Sequence, residues 1–386
     1  MNLTIPIFQV SAARKLLTRL RFERFTLPVL THVLATIDNA GLVLAVTDLD
    51  HWLETRVPAI IGPFTPGRFL IPAEALNVAA RGDKGSSAHF AYTETANGTT
   101  LTLTTFCCGL SVKSVYHLVV TADEFPARPV VQGSITALPK ETFAALGIVA
   151  GCASTDATRY VLNGVYFTPE DGGRLIATDG RRLAGAPARV PNRGFVLPTI
   201  AVQVLAHPDF STRDAAILQP EDNKGTHIQF RSGPHTLIAK TLEGQYPNYR
   251  NVIPGYLPQS VTIPETHRSA LIAWLRLLKG KSNSVRLTWE TPDQLTLTHR
   301  EYDTVGATLQ VPVTTDGQPP EIAFDPKYLA DALEIGQTLR LVDKLNPGMT
   351  EGPSGNFCVL MSLRFTEETA TEEEATRETP TPAIAA

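Results

Sequence analysis

The sequence has few cysteines and none of the common catalytic motifs. Its four cysteines, Cys107, Cys108, Cys152 and Cys358, show no CxxC spacing and are typical of buried thiols in a reduced cytosol. The motifs HExxH, GxSxG and GxGxxG do not occur, and the nine histidines form no pair at metal-ligand spacing on one helix. We therefore expect a binding protein rather than an enzyme, with no catalytic residue, no metal site and no cofactor.

Long apolar runs and a strong charge of one sign are absent as well. No run of 18 apolar residues exists, which predicts that no segment spans a membrane. The first six residues lack the basic-then-apolar layout of a signal peptide, so we expect a cytoplasmic protein without membrane contact. The net charge of −4 argues against nucleic acid wrapped around the whole surface, but it is compatible with a local basic face.

What the sequence does contain is a threefold internal repeat. Each copy has an apolar strand, a polar turn, a second strand that ends at a threonine, and a third strand. The copies lie at 33–59, 165–191 and 285–311, and the threonines are Thr47, Thr178 and Thr298. A repeat of about 120 residues is too long for a solenoid unit, so each copy is predicted to be a domain.

Helix signals flank each copy of the repeat. First helices are predicted at 11–21, 139–152 and 264–279, and second helices follow Pro72, Pro198 and Pro326. Two helices and about eight strands in each copy predict an α+β fold of three tandem domains, 1–128, 129–254 and 255–365. The remaining segment, 366–386, is rich in acidic residues, threonine, alanine and proline, and we expect it to be disordered.

The segment Ile176-Ala-Thr-Asp-Gly-Arg-Arg-Leu-Ala184 is the part of the repeat that carries the clearest signal. A strand pattern ends in Asp179-Gly180, a strong turn signal, and two arginines and a leucine follow. A tight turn with solvated charges would account for this motif alone. Its altered recurrence in the other copies favours a functional role.

Positive charge is concentrated on a few predicted helices. The first helix of copy one and the turn after it carry five basic residues, and so do the first helix of copy three and its exit. The former are Arg14, Lys15, Arg19, Arg21 and Arg24, and the latter are Arg268, Arg276, Lys279, Lys281 and Arg286. Each helix could be an ordinary solvated face. Together they could instead form a surface that contacts phosphates without reading bases.

These residues and motifs together resemble those of a known family, the bacterial DNA polymerase III beta subunit, which is the replicative sliding clamp. The resemblance covers residues 1–365. Each motif alone is weak evidence for the family, but their order across the three repeats is specific to it. The matching pieces are Thr26-Leu-Pro-Val-Leu30, Thr47-Asp-Leu-Asp50, Arg159-Tyr-Val-Leu-Asn-Gly164, Ala177-Thr-Asp-Gly-Arg-Arg-Leu-Ala184, Gly244-Gln-Tyr-Pro-Asn-Tyr-Arg250 and Val359-Leu-Met-Ser-Leu-Arg364.

The resemblance implies an architecture and a set of partners. It implies three clamp domains per chain and a head-to-tail homodimer that closes a ring around double-stranded DNA, with helices lining the hole. It implies a non-catalytic subunit that holds DNA polymerase on its template. The expected protein partners are the polymerase III alpha subunit, the clamp loader and other proteins that carry a clamp-binding motif.

The resemblance also implies a peptide-binding pocket between the second and third domains and a set of DNA contacts. The pocket positions carried over are Leu162, Thr178, Gly180, Arg181, Arg182, Leu183, Pro247, Val252, Tyr328, Val359, Met361, Ser362, Leu363 and Arg364. The DNA-binding residues are expected to be Arg14, Lys15, Arg24 and Arg81. The apolar members would make a cleft, to which methionine brings adaptability.

Several positions depart from the pattern of the family. Arg181 and Ser362 stand where histidine and proline are frequent, and Thr199-Ile200 replaces a frequent basic pair. His117 lies in the strand expected at the dimer seam. A divergent clamp that serves as a peptide-binding hub without efficient ring closure is therefore an alternative. We also expect the acidic tail to fold over Arg181, Arg182 and Arg364 and to compete with partner peptides.

Overall fold

The structure is a computed structural model, and it describes most of the chain. The described residues are 2–20, 27–61, 67–96, 98–211, 215–220, 226–278, 284–301 and 304–364. The expected DNA contact Arg24, the basic residues Arg21, Lys279 and Lys281, and the acidic tail lie outside the described residues.

The described residues form seven α-helices and twenty-six strands. The helices are α1 (Ile7–Leu17), α2 (Ala73–Ala79), α3 (Lys140–Ala150), α4 (Thr199–Leu205), α5 (Pro208–Ser211), α6 (Glu265–Leu277) and α7 (Pro326–Ile335). None of these helices is long and apolar enough to cross a membrane.

The strands fall into three groups along the chain, of nine, eight and nine strands. The first group is β1 (Asn2–Pro6), β2 (His32–Asp38), β3 (Gly41–Thr47), β4 (His51–Val57), β5 (Ile60–Ile61), β6 (Gly67–Pro72), β7 (Ser87–Thr95), β8 (Gly98–Cys107) and β9 (Leu110–Leu118). The second is β10 (Ser134–Leu138), β11 (Gly164–Thr168), β12 (Arg174–Thr178), β13 (Arg182–Pro187), β14 (Phe195–Pro198), β15 (Ala215–Gln219), β16 (His227–Ser232) and β17 (His235–Lys240). The third is β18 (Gln259–Thr262), β19 (Val285–Thr291), β20 (Gln294–Glu301), β21 (Thr304–Pro312), β22 (Thr314–Asp316), β23 (Ile322–Phe324), β24 (Thr338–Leu341), β25 (Gly348–Glu351) and β26 (Phe357–Leu360).

The chain divides into two compact units. The first unit comprises Met1–Asn251 together with Gly352–Cys358, and the second comprises Val252–Glu351 and the chain from Val359 onward. The α+β class is as expected. The boundaries of three separate domains stay a prediction, because residues before Val252 form one compact unit.

The first unit is built on antiparallel sheets. One sheet has the order β5-β1-β7-β8-β9, and an eight-stranded sheet has the order β10-β15-β16-β17-β4-β3-β2-β6. The eight-stranded sheet joins the first two copies of the repeat, since β17 pairs with β4 and places Leu237 opposite Leu53. Strands β14, β11, β12 and β13 lie side by side in this order.

The second unit contains two sets of strands and two helices. Strands β21, β20, β19 and β23 form a four-stranded sheet, and β25, β24, β18 and β22 pair in that order. Helices α6 and α7 pack against each other. Leu271 and Leu275 of α6 and Leu329 and Leu333 of α7 are buried, which is the apolar spacing expected for a helix with one face in the core.

Proline marks the start of most helices, as the sequence predicts. Pro139, Pro198 and Pro264 immediately precede α3, α4 and α6, and Pro326 is the first residue of α7. The predicted start of the first helix at residue 11 is wrong, because α1 begins four residues earlier at Ile7. Ile7 and Val10 extend the buried face of this helix by one turn.

Candidate functional site

The chain reverses direction after Thr178, at the end of β12, in a turn that its own side chains hold. The Thr178 hydroxyl donates a hydrogen bond to the Arg182 carbonyl oxygen at 2.6 Å and accepts one from the Gly180 N–H at 3.1 Å. Asp179 Oδ1 accepts hydrogen bonds from the N–H groups of Arg181 and Arg182 at 2.9 and 3.0 Å. These bonds satisfy the polar backbone groups of the turn and fix its shape.

Gly180 occupies the position of this turn whose backbone conformation favours glycine. Its φ of +85° lies in the left-handed region, and a Cβ atom there would stand 2.6 Å from Nη1 of Arg159. The same Nη1 lies 3.5 Å from the Asp179 carbonyl oxygen. The turn therefore has room for the Arg159 guanidinium only because Gly180 has no side chain.

Arg182 is a buried structural residue rather than an exposed cation. Its side chain is 3% exposed, and Nε donates to Asp179 Oδ2 at 3.1 Å while Nη2 donates to the Gly151 carbonyl oxygen at 2.5 Å. Gly151 ends helix α3, so Arg182 joins the turn to the negative end of that helix dipole. The expected contact of the acidic tail with Arg182 is wrong, because its guanidinium is already enclosed and paired.

The first copy of the repeat contains the same turn with a different partner. Thr47 Oγ1 donates to the His51 carbonyl oxygen at 2.6 Å and accepts from the Leu49 N–H at 3.1 Å. Asp48 Oδ1 accepts from the His51 N–H at 2.6 Å, and Asp48 Oδ2 lies 2.9 Å from the His51 ring. Leu49 adopts φ +82°, close to the +85° of Gly180 in copy two. The internal repeat thus extends to individual hydrogen bonds.

The third copy departs from this arrangement. The sequence predicts that the second strand of this copy ends at Thr298, but β20 continues to Glu301. Thr298 pairs with Thr308 of β21. The strand carries a register shift at His299/Arg300 instead of a turn. The threonine signal was therefore misread in the third copy.

The predicted pocket residues are divided equally between the two units. Seven of them, from Leu162 to Pro247, belong to the first unit, and the other seven, from Val252 to Arg364, belong to the second. In the first unit, Leu162 and Leu183 are core side chains, Arg181 is exposed and Pro247 stands on the surface.

In the second unit, Val252 ends the 3₁₀ turn 249–252 and Tyr328 lies in the first turn of α7. The other five predicted residues run from Val359 in β26 to Arg364. Val252 and Met361 are 49% and 43% exposed, Arg364 is exposed, and Val359 is buried. Tyr328, Ser362 and Leu363 are half-buried. The terminal segment is anchored by a hydrogen bond from the Leu363 N–H to the Ala323 carbonyl oxygen at 2.7 Å, so its side chains have a fixed base.

A cavity beside Pro247 contains residues that the sequence analysis missed. It has a volume of about 660 Å³, and Tyr166 and Tyr246 stack in its wall with ring centroids 4.8 Å apart. Burial raises the pKa of Tyr246. Tyr246 lies within the motif 244–250 that matches the family, but nothing in this motif indicates that its ring stacks on Tyr166.

Arg250 forms a charged cluster at the edge of this cavity. Its guanidinium lies 2.7 Å from Glu170 and 3.0 Å from Asp171. Hydrogen bonds, first from Arg250 and then from Tyr249, lower the pKa of Asp171. Burial, with the hydrogen bond to Asp171, raises the pKa of Tyr249 to about 12. Asp171 is therefore ionised and Tyr249 protonated at neutral pH, and the cluster serves to hold the 3₁₀ turn 249–252.

A separate basic cleft lies where the exit of α1 meets α4, and both elements belong to the first unit. It encloses about 380 Å³ and is lined by Arg14, Lys15, Thr18, Arg19, Gln203 and His207. Of these, Arg14 and Lys15 are expected DNA contacts. Thr18, Gln203 and His207 were not predicted, because the two sides of the cleft are about 190 residues apart in the sequence.

The arginine and lysine side chains of this basic cleft have no carboxylate partner among the described residues, and His207 has Asp209 3.7 Å away. Among the residues that the structure describes, Arg14, Lys15, Arg19 and Arg81 have no carboxylate within ion-pair distance. Burial is the main cause of the lowered pKa of His207, and Arg19 and Lys15 lower it further while Asp209 opposes them. Arg14 Nε donates to Asn77 Oδ1, which ties α1 to α2.

Three basic residues of the first helix of copy three and its exit, all within the described part of the chain, have acidic partners. Arg268 lies 2.8 Å from Glu265, and Arg276 lies 2.6 Å from Glu334. Arg286 contacts Glu321. Their positive charge is therefore largely compensated within the second unit, and the basic cleft is the stronger candidate for phosphate contact.

Several strands of the described residues lie at the edge of a sheet, among them β9 and β21. Strand β9 is the outer strand of its sheet in the first unit, and β21 is the outer strand of its sheet in the second unit. Val115 of β9 is 52% exposed and His117 is exposed. Such edges can pair with a strand of another chain.

Among the described residues, no group of three or more His, Cys, Asp or Glu side chains could hold a metal ion.

Comparisons with known proteins agree with this architecture. Residues 250–342 match the family model of the DNA polymerase III beta subunit, C-terminal domain. The beta sliding clamp of Caulobacter vibrioides is 28% identical over 365 residues, which cover 89% of this chain and 94% of the relative. The beta sliding clamp of Synechococcus elongatus is also 28% identical and covers 88% of this chain and 91% of the relative.

Solved structures of clamps share the fold along nearly the whole chain. The beta sliding clamp of C. crescentus is 27% identical with a TM-score of 0.78, covering 95% of this chain and 99% of the other. A sliding clamp of Pseudomonas aeruginosa, DNA polymerase III subunit beta, matches in fold with a TM-score of 0.80 at 22% identity, over 95% of this chain and 100% of the other. The chain is therefore similar to bacterial beta sliding clamps along nearly its whole length, and its C-terminal part matches the family model of the DNA polymerase III beta subunit, C-terminal domain.

Proposed function

We propose that this protein is a DNA sliding clamp, a non-catalytic subunit that encircles duplex DNA in the cytoplasm and holds a replicative polymerase on its template. The observation that carries this proposal is the match to beta sliding clamps over 89% of the chain, which spans all three copies of the repeat. The proposed domains are 1–128, 129–254 and 255–365.

We propose that DNA contact relies on the basic cleft and the residues beside it. Arg14 and Lys15 line the cleft, Arg81 follows the end of α2, and Arg24 completes the expected set. Lysine and arginine side chains that contact phosphates give binding that depends on salt and not on base sequence. A clamp needs such weak contacts, because a closed ring holds DNA by topology and must still slide.

We propose that two chains form the ring head to tail. The unpaired edges of β9 and β21 lie in different units, and pairing of two different surfaces can close a ring of two chains when the rotation between them is correct. The first test is the solution mass at micromolar concentration, measured by light scattering after size exclusion. We expect twice the mass of the 41.8 kDa chain. A monomer at all concentrations would contradict ring closure and favour the peptide-binding hub.

We propose that the fourteen predicted pocket positions bind short peptides of the polymerase III alpha subunit, the clamp loader and other partners. The exposed side chains of Met361 and Val252 offer apolar contact, and Arg181 and Arg364 are the exposed cations of the set. Arg182 acts by positioning the turn rather than by touching the peptide, since its guanidinium is enclosed.

The peptide proposal is tested with a fluorescently labelled clamp-binding peptide and fluorescence anisotropy. We expect Met361→Ala to weaken peptide binding about tenfold, because truncation of an apolar anchor in an interface commonly costs 1 kcal/mol or more. Met349, which is 6% exposed in β25, is outside the set, and Met349→Leu is the matched control that should leave binding unchanged. Equal peptide affinity of Met361→Ala and the wild type would remove Met361 from the site.

We propose further that the acidic tail competes with these peptides through Arg181 and Arg364. Deletion of 366–386 should then tighten peptide binding at low salt and have little effect at high salt, because exposed charges are screened. Unchanged affinity at low salt would rule out the competition.

A further inference from the structure

The hairpin between β8 and β9 carries two adjacent cysteines at its tip. Cys107 is the last residue of β8 and pairs with Leu110, so Cys108 and Gly109 form a two-residue turn. Both central residues have positive φ, +53° for Cys108 and +76° for Gly109, which is the pattern of a type I′ turn. The thiols are not buried, contrary to the expectation for these two cysteines: Cys107 is half-buried and Cys108 is exposed.

Cysteine is an unusual residue for this position. The first central position of a type I′ turn favours asparagine, aspartate or glycine, since other side chains adopt a positive φ at a cost of about 1–2 kcal/mol. Residues held in such a conformation are concentrated at functional sites. Cys108 therefore breaks a local rule at an exposed position, and it does so beside a second thiol.

The tip is held in place by one carboxylate. Asp83 Oδ1 accepts a hydrogen bond from the Cys108 N–H and Asp83 Oδ2 accepts one from the Gly109 N–H, both at 2.9 Å. The Asp83 N–H in turn donates to the Phe106 carbonyl oxygen at 2.8 Å. The two thiols are therefore presented on a fixed backbone, which lowers the entropic cost of binding a ligand to both.

The two thiols interact with each other. A hydrogen bond with the Cys108 thiol is the main cause of the raised pKa of Cys107, and Asp83 raises this pKa a little further. Cys107 therefore keeps its proton at neutral pH until a ligand displaces it.

We propose that Cys107 and Cys108 form a two-thiol binding site for a trivalent arsenical. With phenylarsine oxide as the ligand, both thiols attack arsenic, two As–S bonds replace the As=O bond, and the oxygen leaves with the two thiol protons as one water molecule. Arsenic stays trivalent, so the step needs no oxidant or reductant.

The alternatives fit the geometry less well. Zinc sites use three or four protein ligands, and no cluster of three His, Cys, Asp or Glu side chains occurs in the described part of the chain. A disulfide normally joins Cα atoms about 4.4–6.8 Å apart, whereas consecutive Cα atoms are about 3.8 Å apart. A single bridging atom between the sulfurs lengthens the link and relieves this compression.

The site is tested on the full chain with phenylarsine oxide and intact-mass spectrometry, in the presence of excess monothiol. We expect one adduct per wild-type chain, because two linked thiolates outcompete free monothiols. Cys107→Ser and Cys108→Ser should each lower retention about 100-fold or more, since the second bond is then no longer intramolecular. Cys152→Ala, which removes a buried thiol elsewhere in the chain, is the control that should retain the adduct.

Cys108→Asn separates loss of the site from loss of the fold. Asparagine suits the first central position of a type I′ turn, so this variant should fold at least as well as the wild type and lose the adduct. Absence of an adduct on the folded wild-type chain, or equal retention by Cys108→Asn, would overturn the proposal. Because the assay uses neither DNA nor peptide, its result is independent of the clamp function.

Discussion

The ion pair between Asp179 and Arg182 gives a prediction about stability, and the equivalent turn in the first copy of the repeat supplies its control. In Asp179→Asn the side-chain oxygen can still accept the backbone hydrogen bonds of the turn, but the charge opposite the Arg182 guanidinium is lost. The two side chains are 15% and 3% exposed. Removal of one partner of a buried ion pair costs about 3–5 kcal/mol. Arg182 keeps its bond to Gly151, so we expect a loss of about 2–3 kcal/mol in the free energy of unfolding.

Asp48→Asn is the matched substitution in the first copy. The same turn is present, and Asp48 faces the His51 ring instead of a guanidinium. Here the variant loses at most a hydrogen bond to the ring, for which we expect about 0.5–1.5 kcal/mol. Both turns lie in the first unit, so urea unfolding followed by circular dichroism reports on both, with an unchanged m value. Equal losses in the two variants would refute the claim that the buried charge of Arg182 distinguishes the turns.

Three further predictions concern other residues of the first unit. Gly180→Ala should lower the free energy of unfolding by about 1–2 kcal/mol, measured by urea unfolding, because its φ of +85° strains any side chain. A hydrogen bond from Arg56 is the main cause of the lowered pKa of Asp38, about 2, so NMR titration should show this pKa rising towards its ordinary value in Arg56→Ala. Lys15→Ala and Arg19→Ala together should reduce the salt dependence of duplex DNA binding, with a slope of log K against log salt lower by about 2.

Two of these predictions have a control variant, and the third has an expected direction of the effect of pH on stability. Gly147, in the middle of α3 with open space around it, should give the opposite result to Gly180, since Gly147→Ala raises helix propensity by about 1 kcal/mol. The lowered pKa of Asp38 stabilises the folded chain above the ordinary pKa of aspartate, and this contribution is lost as the pH falls towards 2. For DNA binding, Arg276→Ala is the control, because Arg276 is paired with Glu334 and should leave the slope unchanged.

Local patterns in the sequence were sufficient to predict the repeat and its elements. Prolines before the helices and alternation along the strands locate most of them to within a few residues, because both are local signals. The Thr178 turn was also recognisable, since a hydroxyl and a carboxylate adjacent to Gly180 are the groups that such a turn needs.

Features that depend on distant residues were not predictable. Arg182 looked like an exposed cation, because its partner at Gly151 is 31 residues away and nothing in the local pattern indicates it. The basic cleft needs Gln203 of α4, and His207 just after that helix, beside the end of α1. Only the packing of α4 on the turn Thr18–Leu20 brings them together. Thr298 shows the opposite case. The local pattern indicates a strand end at this threonine, but β20 continues to Glu301.

The central claim is that a closed ring of this protein surrounds duplex DNA. Its most direct test uses nicked circular DNA, onto which the protein is loaded by a clamp loader with ATP, followed by gel filtration at high salt. We predict that the protein stays on the circle and is released when a restriction enzyme linearises the DNA, because only topology resists high salt. Equal retention on circular and linear DNA, or release from both by salt alone, would contradict the account.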